Sequence, residues 1–151
     1  MDTRALIGEI AAIYIKRNIE GTWEALGEGQ LRPDFGLMDH IHSGKGDRQV
    51  AILPESAREE LSSLKLKGIC TERFHENITI RGLNPDRLGI GSRIVIGETI
   101  QEVTEVGKLC FPECNIMRRG EVCPLIGGVI FTRVETGGRI RTGDLVWSMQ
   151  L

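Results

Sequence analysis

Glycine is the feature that most constrains this chain, because it accounts for 19 of the 151 residues. That is nearly twice the frequency of about 7% found in average proteins. The glycines are spread between short apolar runs, with only 5 prolines. Since glycine is the residue that tight turns accept most readily, this spacing predicts many short elements joined by turns. We therefore expect a mainly β fold rather than a helical bundle.

Short β-branched runs predict strands along most of the chain. The clearest pair flanks a hairpin turn at Gly97-Glu98. Residues 18–30 contain three glycines and are predicted to be a loop. Because short strands usually avoid exposed edges by closing into a barrel, we expect a closed or partly open β-barrel with one or two short helices. The predicted strands are Ile10–Ile15, Leu31–Asp39, Gln49–Leu53, Asn77–Ile80, Arg93–Ile96, Thr99–Val106, Gly128–Val134, Arg139–Arg141 and Leu145–Trp147.

One helix is expected to begin at Pro54, a residue that suits the first helical turn. Several glutamates follow it, and negative charge is favourable at the start of a helix. Ala57, Leu61 and Leu64 are spaced to lie on one helical face, and Gly68 can end the helix. The pattern is typical of a helix that packs on a sheet.

Length and charge narrow the class of protein. A chain of 151 residues fits a single domain spanning 1–151. The formal net charge of -2 argues against a nucleic-acid-binding protein, which would usually be basic. There is no run of about 20 apolar residues that could span a membrane, and Glu9 interrupts the only early apolar run that could resemble a signal peptide. We therefore expect a cytoplasmic protein whose thiols stay reduced.

Three of the four cysteines, Cys110, Cys114 and Cys123, lie close together in the sequence. Three interpretations remain open. Cys123, like the separate Cys70, can be a small buried apolar residue. The three together, with His42, can bind zinc, although their spacing does not match paired CxxC motifs. Alternatively, Cys110 is a reactive thiolate with Cys114 as a resolving partner.

Basic residues near the cysteines support the thiolate interpretation. Lys108, Arg118 and Arg119 can lower the pKa of a nearby thiol, because a positive charge favours the thiolate. They can equally bind a phosphate, arginine through paired hydrogen bonds. Each of them can also be an ordinary solvated surface charge.

A second candidate site is the loop that contains Asp39, His40 and His42. Alternate residues of an extended segment point the same way, so the two imidazoles can converge on one metal ion. The alternative is one structural and one exposed histidine. Lys45 and Arg48 flank Gly46 in the same loop, which makes it a candidate phosphate-binding loop. The third histidine, His75, is next to Glu76 and is a candidate base or orienting residue. The alternative is an ordinary surface residue.

An ordered set of short motifs resembles the MOSC domain, the C-terminal module of molybdenum cofactor sulfurases that also occurs as small stand-alone bacterial proteins. The resemblance spans roughly residues 8–147. The motifs are Gly36-Leu37, His42–Val50, Arg73–Thr79, Gly82-Leu83, Leu88–Gly91, Ile96–Glu98, Glu102–Thr104, Gly107-Lys108-x-Cys110 and Gly137–Asp144.

The resemblance implies a β-barrel of the pyruvate-kinase barrel-domain type and a role around the molybdenum-pterin cofactor. It singles out Cys110 as the residue that carries sulfur as a persulfide. The partner would be the molybdopterin cofactor or a molybdoenzyme, and a separate protein would donate the sulfur. Pyridoxal phosphate is not expected on this chain. The implied cofactor-binding residues are Lys45, Arg48, Glu76, Asn77, Lys108, Arg118 and Arg119.

Two alternatives of a different class stay open. Some relatives reduce N-hydroxylated compounds, so the chain could be a molybdenum-dependent reductase in which Cys110 ligates the metal. It could also be a non-catalytic zinc-binding module, with zinc on Cys110, Cys114, Cys123 and His42. Oligomeric state is not predicted by any of these patterns.

Overall fold

The structure, a computed structural model, describes residues 3–44, 46–63, 75–107 and 128–150. These residues form eleven strands, one α-helix and a short 3₁₀ turn at Pro85–Arg87, which confirms the predicted mainly β fold. In chain order the elements are β1 (Thr3–Ile15), β2 (Glu24–Leu26), β3 (Glu28–Arg32), β4 (Gly36–Leu37), β5 (Val50–Pro54), α1 (Glu55–Ser63), β6 (Ile78–Arg81), β7 (Arg93–Ile96), β8 (Thr99–Val106), β9 (Ile130–Thr136), β10 (Gly138–Arg141) and β11 (Leu145–Gln150).

Seven strands close into a barrel in the order β11-β7-β8-β9-β5-β6-β1, and β1 returns to pair with β11. Six of the seven neighbouring pairs are antiparallel, while β5 and β6 are parallel. A ring with an odd number of strands cannot be antiparallel throughout, so one parallel pair is required. Because a parallel pair needs a long crossover, α1 occupies the connection between β5 and β6.

Strand β1 makes closure possible because it pairs with three other strands along its length. Its pairing shifts between Leu6 and Gly8 and again between Ile10 and Ala12, and such bulges bend a strand. At the first bulge a Cβ on Gly8 would lie 2.5 Å from the carbonyl oxygen of Arg81. Only glycine therefore allows β1 and β6 to approach this closely.

The barrel interior is filled mainly by isoleucine and valine, with Ile52, Ile78 and Ile130 each 0% exposed. A short polar chain runs through it, in which Thr132 donates to the side chain of Gln101 and Gln101 donates to Thr99. Within the described residues, no buried side-chain nitrogen or oxygen lacks a hydrogen-bond partner. The buried polar groups are therefore satisfied, as a stable core requires.

The predicted strands are found, although β1 begins at Thr3 rather than Ile10, β11 extends to Gln150 rather than Trp147, and several other ends are shifted by one or two residues. Residues 18–30 were predicted to be a loop, which is wrong for β2 and for the start of β3. These short strands pair with β1 and β10, so long-range contacts decide their conformation. The extended stretch Leu31–Asp39 is split by a turn, where Asp34 and Gly36 have φ angles of 52° and 119°.

Helix α1 confirms the predicted helix, and it buries Ala57 and Leu61 against the barrel. It begins at Glu55, because Pro54 is the last residue of β5 and pairs with Ile80 of β6. The predicted end at Leu64–Gly68 lies outside the described residues. Among the helices that the structure describes, none has the length and apolar character needed to cross a membrane.

Candidate functional site

All three histidines of the chain lie in one group around Trp23, although they come from distant parts of the sequence. The ring of His75 stacks on that of Trp23, with ring centroids 4.8 Å apart and an interplanar angle of 19°. It forms a T-shaped pair with Tyr14, whose centroid lies 4.4 Å away. His40 lies 5.2 Å from Trp23 and 5.5 Å from His42. We call these five residues, Tyr14, Trp23, His40, His42 and His75, the histidine cluster.

His40 joins the loop at residues 38–48 to the end of β1. Its Nδ1 accepts a hydrogen bond from the backbone N–H of Lys16 at 3.0 Å, and Ile41 donates to the Lys16 carbonyl at 2.8 Å. Burial and the nearby charge of His42 lower the pKa of His40 from 6.5 to about 4. Because Nδ1 is an acceptor, the neutral ring carries its proton on Nε2 and offers no lone pair there.

His75 has the opposite tautomer. Its Nδ1 lies 2.9 Å from the backbone oxygen of Glu76 and 3.3 Å from Oε1 of the same residue. Since both oxygens can only accept, Nδ1 must carry the proton. The neutral ring therefore has its lone pair on Nε2, and the side chain is 24% exposed.

Glu76 is a buried carboxylate whose side chain is 0% exposed. The guanidinium of Arg58, on α1, donates to both of its oxygens, from Nε at 3.1 Å and from Nη2. Thr79 on β6 donates to Oε2 at 2.6 Å. Burial raises the pKa of Glu76, but the hydrogen bonds from Arg58 and Thr79 outweigh burial and leave the pKa below its usual range. The group is therefore ionised at neutral pH and joins α1 to the barrel.

Asn77 bridges β5 and β1 immediately before β6 begins. Its Oδ1 accepts from the N–H of Ala51 at 3.0 Å, and its Nδ2 donates to the carbonyl of Tyr14 at 3.3 Å. Its own backbone exchanges hydrogen bonds with the same two residues. The structure thus places Asn77 beside the histidine cluster with both side-chain polar atoms engaged by backbone, and its predicted contact with a cofactor remains a prediction.

Arg48 lies at the other end of the same loop and is 56% exposed. Its guanidinium makes a two-point ion pair with Glu105 of β8, in which Nη2 lies 3.1 Å from Oε1. It also lies over the ring of Phe131, 4.8 Å from the centroid. Arg48 is therefore oriented by the two strands that flank the cysteine-containing segment.

The amide of Gln49 fixes the loop from the barrel side. Its Nε2 donates to Oδ1 of Asp34 and to the carbonyl of Gly46, both at 2.9 Å, while its Oε1 accepts from the N–H of Val134 at 3.0 Å. Thr104 donates to the carbonyl of Asp47 in the same loop. The loop is thus held by β8, β9 and the residue that follows β1.

The segment that contains the cysteines joins β8 to β9 and lies outside the described residues. The predicted site residues that lie outside the described ranges are Lys45, Lys108, Cys110, Cys114, Arg118, Arg119 and Cys123. Cys70 lies outside them as well. The structure describes the residues on either side of this segment. Before it, the N–H of Gly107 donates to the carbonyl of Val129 at 2.6 Å. After it, a Cβ on Gly128 would lie 3.3 Å from the Cβ of Ala57. Both flanks of the segment therefore meet near α1, the helix that carries Arg58.

Within the described ranges, no three histidine, cysteine or acidic side chains converge as metal ligands. His42 lies in the histidine cluster, and its predicted role as a metal ligand remains a prediction.

Sequence reasoning missed three of the residues that shape this site: Tyr14, Trp23 and Arg58. Their roles depend on contacts across the fold, so no local pattern marks them. One signal was available, because Trp23 is one of only two tryptophans and it stands in a glycine-rich stretch predicted to be a loop.

The low pKa of His40 predicts an acid-sensitive fold. A pKa of about 4 in the folded state and about 6.5 in the unfolded state means that the unfolded chain binds the extra proton first. The contribution of neutral His40 to stability is complete above pH 6.5 and is lost as the pH falls from 6.5 towards 4. Between about pH 7 and pH 5, we expect a loss of up to about 2 kcal/mol in the free energy of unfolding, measured by urea denaturation.

The control is His40→Asn, whose Oδ1 can accept from Lys16 but does not titrate. The pH dependence of its stability between pH 7 and pH 5 should be flatter than that of the wild type. An unchanged slope would show that another group causes the acid sensitivity.

Comparisons with known proteins agree on one fold. The model of a protein family, the MOSC domain, matches residues 39–147. The YuaD protein from Bacillus subtilis has a solved structure that superposes with a TM-score of 0.68 at 16% identity, covering 100% of both chains. YiiM from Escherichia coli superposes with a TM-score of 0.57 at 16% identity, over 95% of this chain and 70% of that one.

YiiM from Geobacillus stearothermophilus superposes with a TM-score of 0.53 at 18% identity, over 96% of this chain and 75% of its own. At these identities the structural likeness establishes the fold alone. No curated protein matches the chain in sequence.

Proposed function

The chain belongs to the MOSC domain family, which is associated with the molybdenum cofactor, and from this premise we propose that it binds the molybdenum-pterin cofactor and carries sulfur as a persulfide on Cys110. The observation that carries the proposal is the family match over residues 39–147, which includes residues 39–48 of the loop, Glu76 and Cys110. The chain would act as one domain in the cytoplasm, with the cofactor or a molybdoenzyme as its partner.

The described part of the loop suits an anionic group. Arg48 is exposed at its end, with its side chain oriented by Glu105 and Phe131. Gly46 has a φ angle of 60°, and a Cβ there would meet nothing within 4 Å, so the backbone beside Arg48 is open to a ligand. The phosphate of the cofactor would be held by Arg48 together with Lys45, Lys108, Arg118 and Arg119, and the bound cofactor would supply the molybdenum chemistry.

Sulfur would reach Cys110 by exchange between a thiolate and a persulfide. The Cys110 thiolate attacks the outer sulfur of a persulfide on a donor protein, a new S–S bond forms, the S–S bond of the donor breaks, and the donor leaves as a thiolate. The donor is a separate protein of the cysteine desulfurase class, and pyridoxal phosphate belongs to that protein. A low thiol pKa favours the attacking species, and neighbouring cations lower it.

The test is a mass measurement. After incubation with a cysteine desulfurase and cysteine, the full chain should gain the mass of one sulfur atom, and peptide mapping should locate the sulfur on Cys110. Cys110→Ala should lose this adduct, while Cys70→Ala should keep it. An absent adduct, or equal loading of Cys110→Ala and wild type, would contradict the proposal.

Elemental analysis separates the proposal from the zinc module, and an activity assay separates it from the reductase. Protein produced in a host that makes the cofactor should contain molybdenum in every case except the zinc module. A zinc module would contain stoichiometric zinc and would unfold on chelation. A reductase would in addition reduce a hydroxylamine with an artificial electron donor, whereas a sulfur carrier would not.

A further inference from the structure

A row of apolar side chains crosses the outer surface of the barrel. Leu6 of β1 pairs with Trp147 of β11, and Trp147 pairs with Val95 of β7. Val95 pairs in turn with Ile100 of β8. Directly paired residues of antiparallel strands point to the same face of a sheet. The residue next to Trp147, Val146, is 0% exposed and belongs to the barrel core, so Trp147 and its paired residues point outward. We call these four residues, Leu6, Trp147, Val95 and Ile100, the apolar row.

The apolar row is accessible at its β1 end. Leu6 is 55% exposed, and Leu145, which lies on the same face two residues before Trp147, is 47% exposed. Trp147 and Ile100 are half-buried, and Val95 lies between them. The two exposed leucines therefore continue into a half-buried apolar surface instead of standing singly. Contiguous apolar surface of this kind marks an interaction site.

Strand β1 carries opposite charges on the two sides of the apolar row. Arg4 is exposed on one side, and within the described residues it makes no ion pair. Glu9 lies on the other side, where it contacts Nη1 of Arg81 at 3.1 Å. Arg81 also donates to Glu55 from Nε and Nη2, so two carboxylates share one guanidinium. One side of the row thus carries an uncompensated positive charge, and the other side carries an uncompensated negative charge.

The bulge in β1 places these two charges at equal distances from the row. Because the pairing of β1 shifts at Gly8, it is Glu9 that pairs with Leu145 and points outward with it. On β11, Leu145 and Met149 lie two residues to either side of the row, and Met149 pairs with Arg4. At about 3.4 Å per residue, Arg4 and Glu9 are each about 7 Å from the row.

Other charges around the row leave this polarity in place. On the side of Arg4, the described ion pairs are Arg93 with Glu135 and Arg133 with Glu102. Beyond the side of Glu9, two arginines are accompanied by three carboxylates: Arg139 and Arg141 with Glu28, Glu98 and Asp144.

We propose that the apolar row is the contact surface between two copies of this chain. In a symmetric dimer whose two-fold axis runs along the row, each row packs on the same row of the second copy with the strand directions reversed. The rotation places Arg4 of each copy opposite Glu9 of the other. It also places Met149 opposite Leu145, so apolar side chains meet between the two ion pairs. A second copy fits this face because its own flanking charges are complementary when it is turned over.

The small size of the surface predicts a weak dimer. Four strands about 4.8 Å apart and three rows about 7 Å apart cover about 14 × 14 Å, or about 400 Å² per copy once the side chains at the rim are included. A stable interface buries about 800 Å² per partner. The dimer should therefore dissociate on dilution, with a Kd on the order of 100 µM.

The first experiment is sedimentation velocity of the full chain, under reducing conditions so that disulfides between copies do not contribute. From about 1 µM to about 1 mM the chain should change from monomer to dimer. Leu6→Glu should raise the Kd at least about tenfold, because it places a charge at the contact. Ile19→Glu is the control, since Ile19 is 77% exposed in a turn beyond the other end of β1, and its Kd should equal that of the wild type.

A charge-swap experiment tests the orientation of the two copies. Arg4→Glu and Glu9→Arg should each raise the Kd about tenfold, because each places like charges opposite one another at both ends of the contact. An equimolar mixture of the two variants should form a heterodimer as tight as the wild-type dimer, since both ion pairs are then restored with reversed sign. Native mass spectrometry distinguishes the heterodimer by mass, and circular dichroism confirms that each variant is folded.

Three results would overturn the proposal. A chain that stays monomeric up to about 1 mM would leave the row to a different protein or to a ligand. A dimer with the same Kd in wild type and Leu6→Glu would use another surface. A mixture of Arg4→Glu and Glu9→Arg that dimerises no better than either variant alone would exclude the two-fold arrangement. None of these measurements involves a cofactor or sulfur, so they are independent of the proposed function.

Discussion

Replacing Arg58 by methionine is expected to lower the free energy of unfolding by about 3–5 kcal/mol at neutral pH. The substitution keeps most of the side-chain volume but removes the cation that pairs with Glu76, whose carboxylate is 0% exposed. An ionised group left in the interior without its partner costs more than the pair itself contributed. Urea denaturation at neutral pH measures the loss.

The contribution of Glu76 to the free energy of unfolding should change with pH in opposite directions in Arg58→Met and in the wild type. In the wild type the pKa of Glu76 is lowered, so its stabilising contribution is present above the usual carboxyl pKa and is lost as the pH falls through the folded value. Without Arg58, burial dominates and raises the pKa of Glu76. The folded variant then binds the proton more tightly than the unfolded chain, so its deficit should shrink as the pH falls from neutral towards the carboxyl range.

A matched control is available on β6. Arg81 also makes a paired contact with a glutamate of α1, Glu55, but its side chain is 55% exposed. Arg81→Met should therefore cost far less than Arg58→Met, because solvent screens the exposed pair. The double variant Arg58→Met/Glu76→Met should recover much of the loss, since an apolar pair leaves no buried charge. Equal losses for Arg58→Met and Arg81→Met would contradict this account.

Replacing Asn77 by leucine is expected to cost about 2–4 kcal/mol, because two backbone groups lose their partners. The N–H of Ala51 would lose Oδ1 and the carbonyl of Tyr14 would lose Nδ2. Asn77 itself is 3% exposed, so water cannot readily replace either hydrogen bond. Urea denaturation gives the total cost, and amide hydrogen exchange should show faster exchange at Ala51 than elsewhere in β5.

Asn84 provides the comparison for Asn77. It is exposed, and its Oδ1 accepts from the N–H of Asp86 at the start of a short 3₁₀ turn. Asn84→Ala should cost about 1 kcal/mol or less, as expected for the loss of a cap. If Asn77→Leu costs no more than Asn84→Ala, the bridge between β5 and β1 contributes little to the barrel.

Arg58→Met and Asn77→Leu also concern the candidate site, because Glu76, the partner of Arg58, and Asn77 follow His75 directly in the chain. The residues that orient the histidine cluster are thus the same residues that join α1, β1 and β5.

Much of the architecture could be predicted from local sequence. The strands Arg93–Ile96 and Thr99–Val106 and the turn between them were predicted with the boundaries that the structure has. A hairpin depends on neighbouring residues, so its pattern of β-branched residues and glycine is sufficient. Helix α1 was predicted for the same reason, from Pro54 and the spacing of Ala57 and Leu61.

The candidate site was only partly predictable. Short motifs named the family and the loop with His42 and Arg48, since these are contiguous in sequence. They did not place Arg58 next to Glu76 or Trp23 among three histidines, because these contacts join residues that are separated by 17 to 52 positions in the chain.

By itself, the sequence determined a mainly β protein with many glycine turns, one helix after Pro54 and a resemblance to the MOSC domain, because each of these depends on local patterns. Only the tertiary structure decided that seven strands close through one parallel pair and that β2 is a strand. It also decided the opposite tautomers of His40 and His75. Strand pairing joins residues that are distant in sequence and has no signal in local sequence. The tautomers depend on which backbone or side-chain groups the folded chain places beside each ring, which the local sequence does not reveal either.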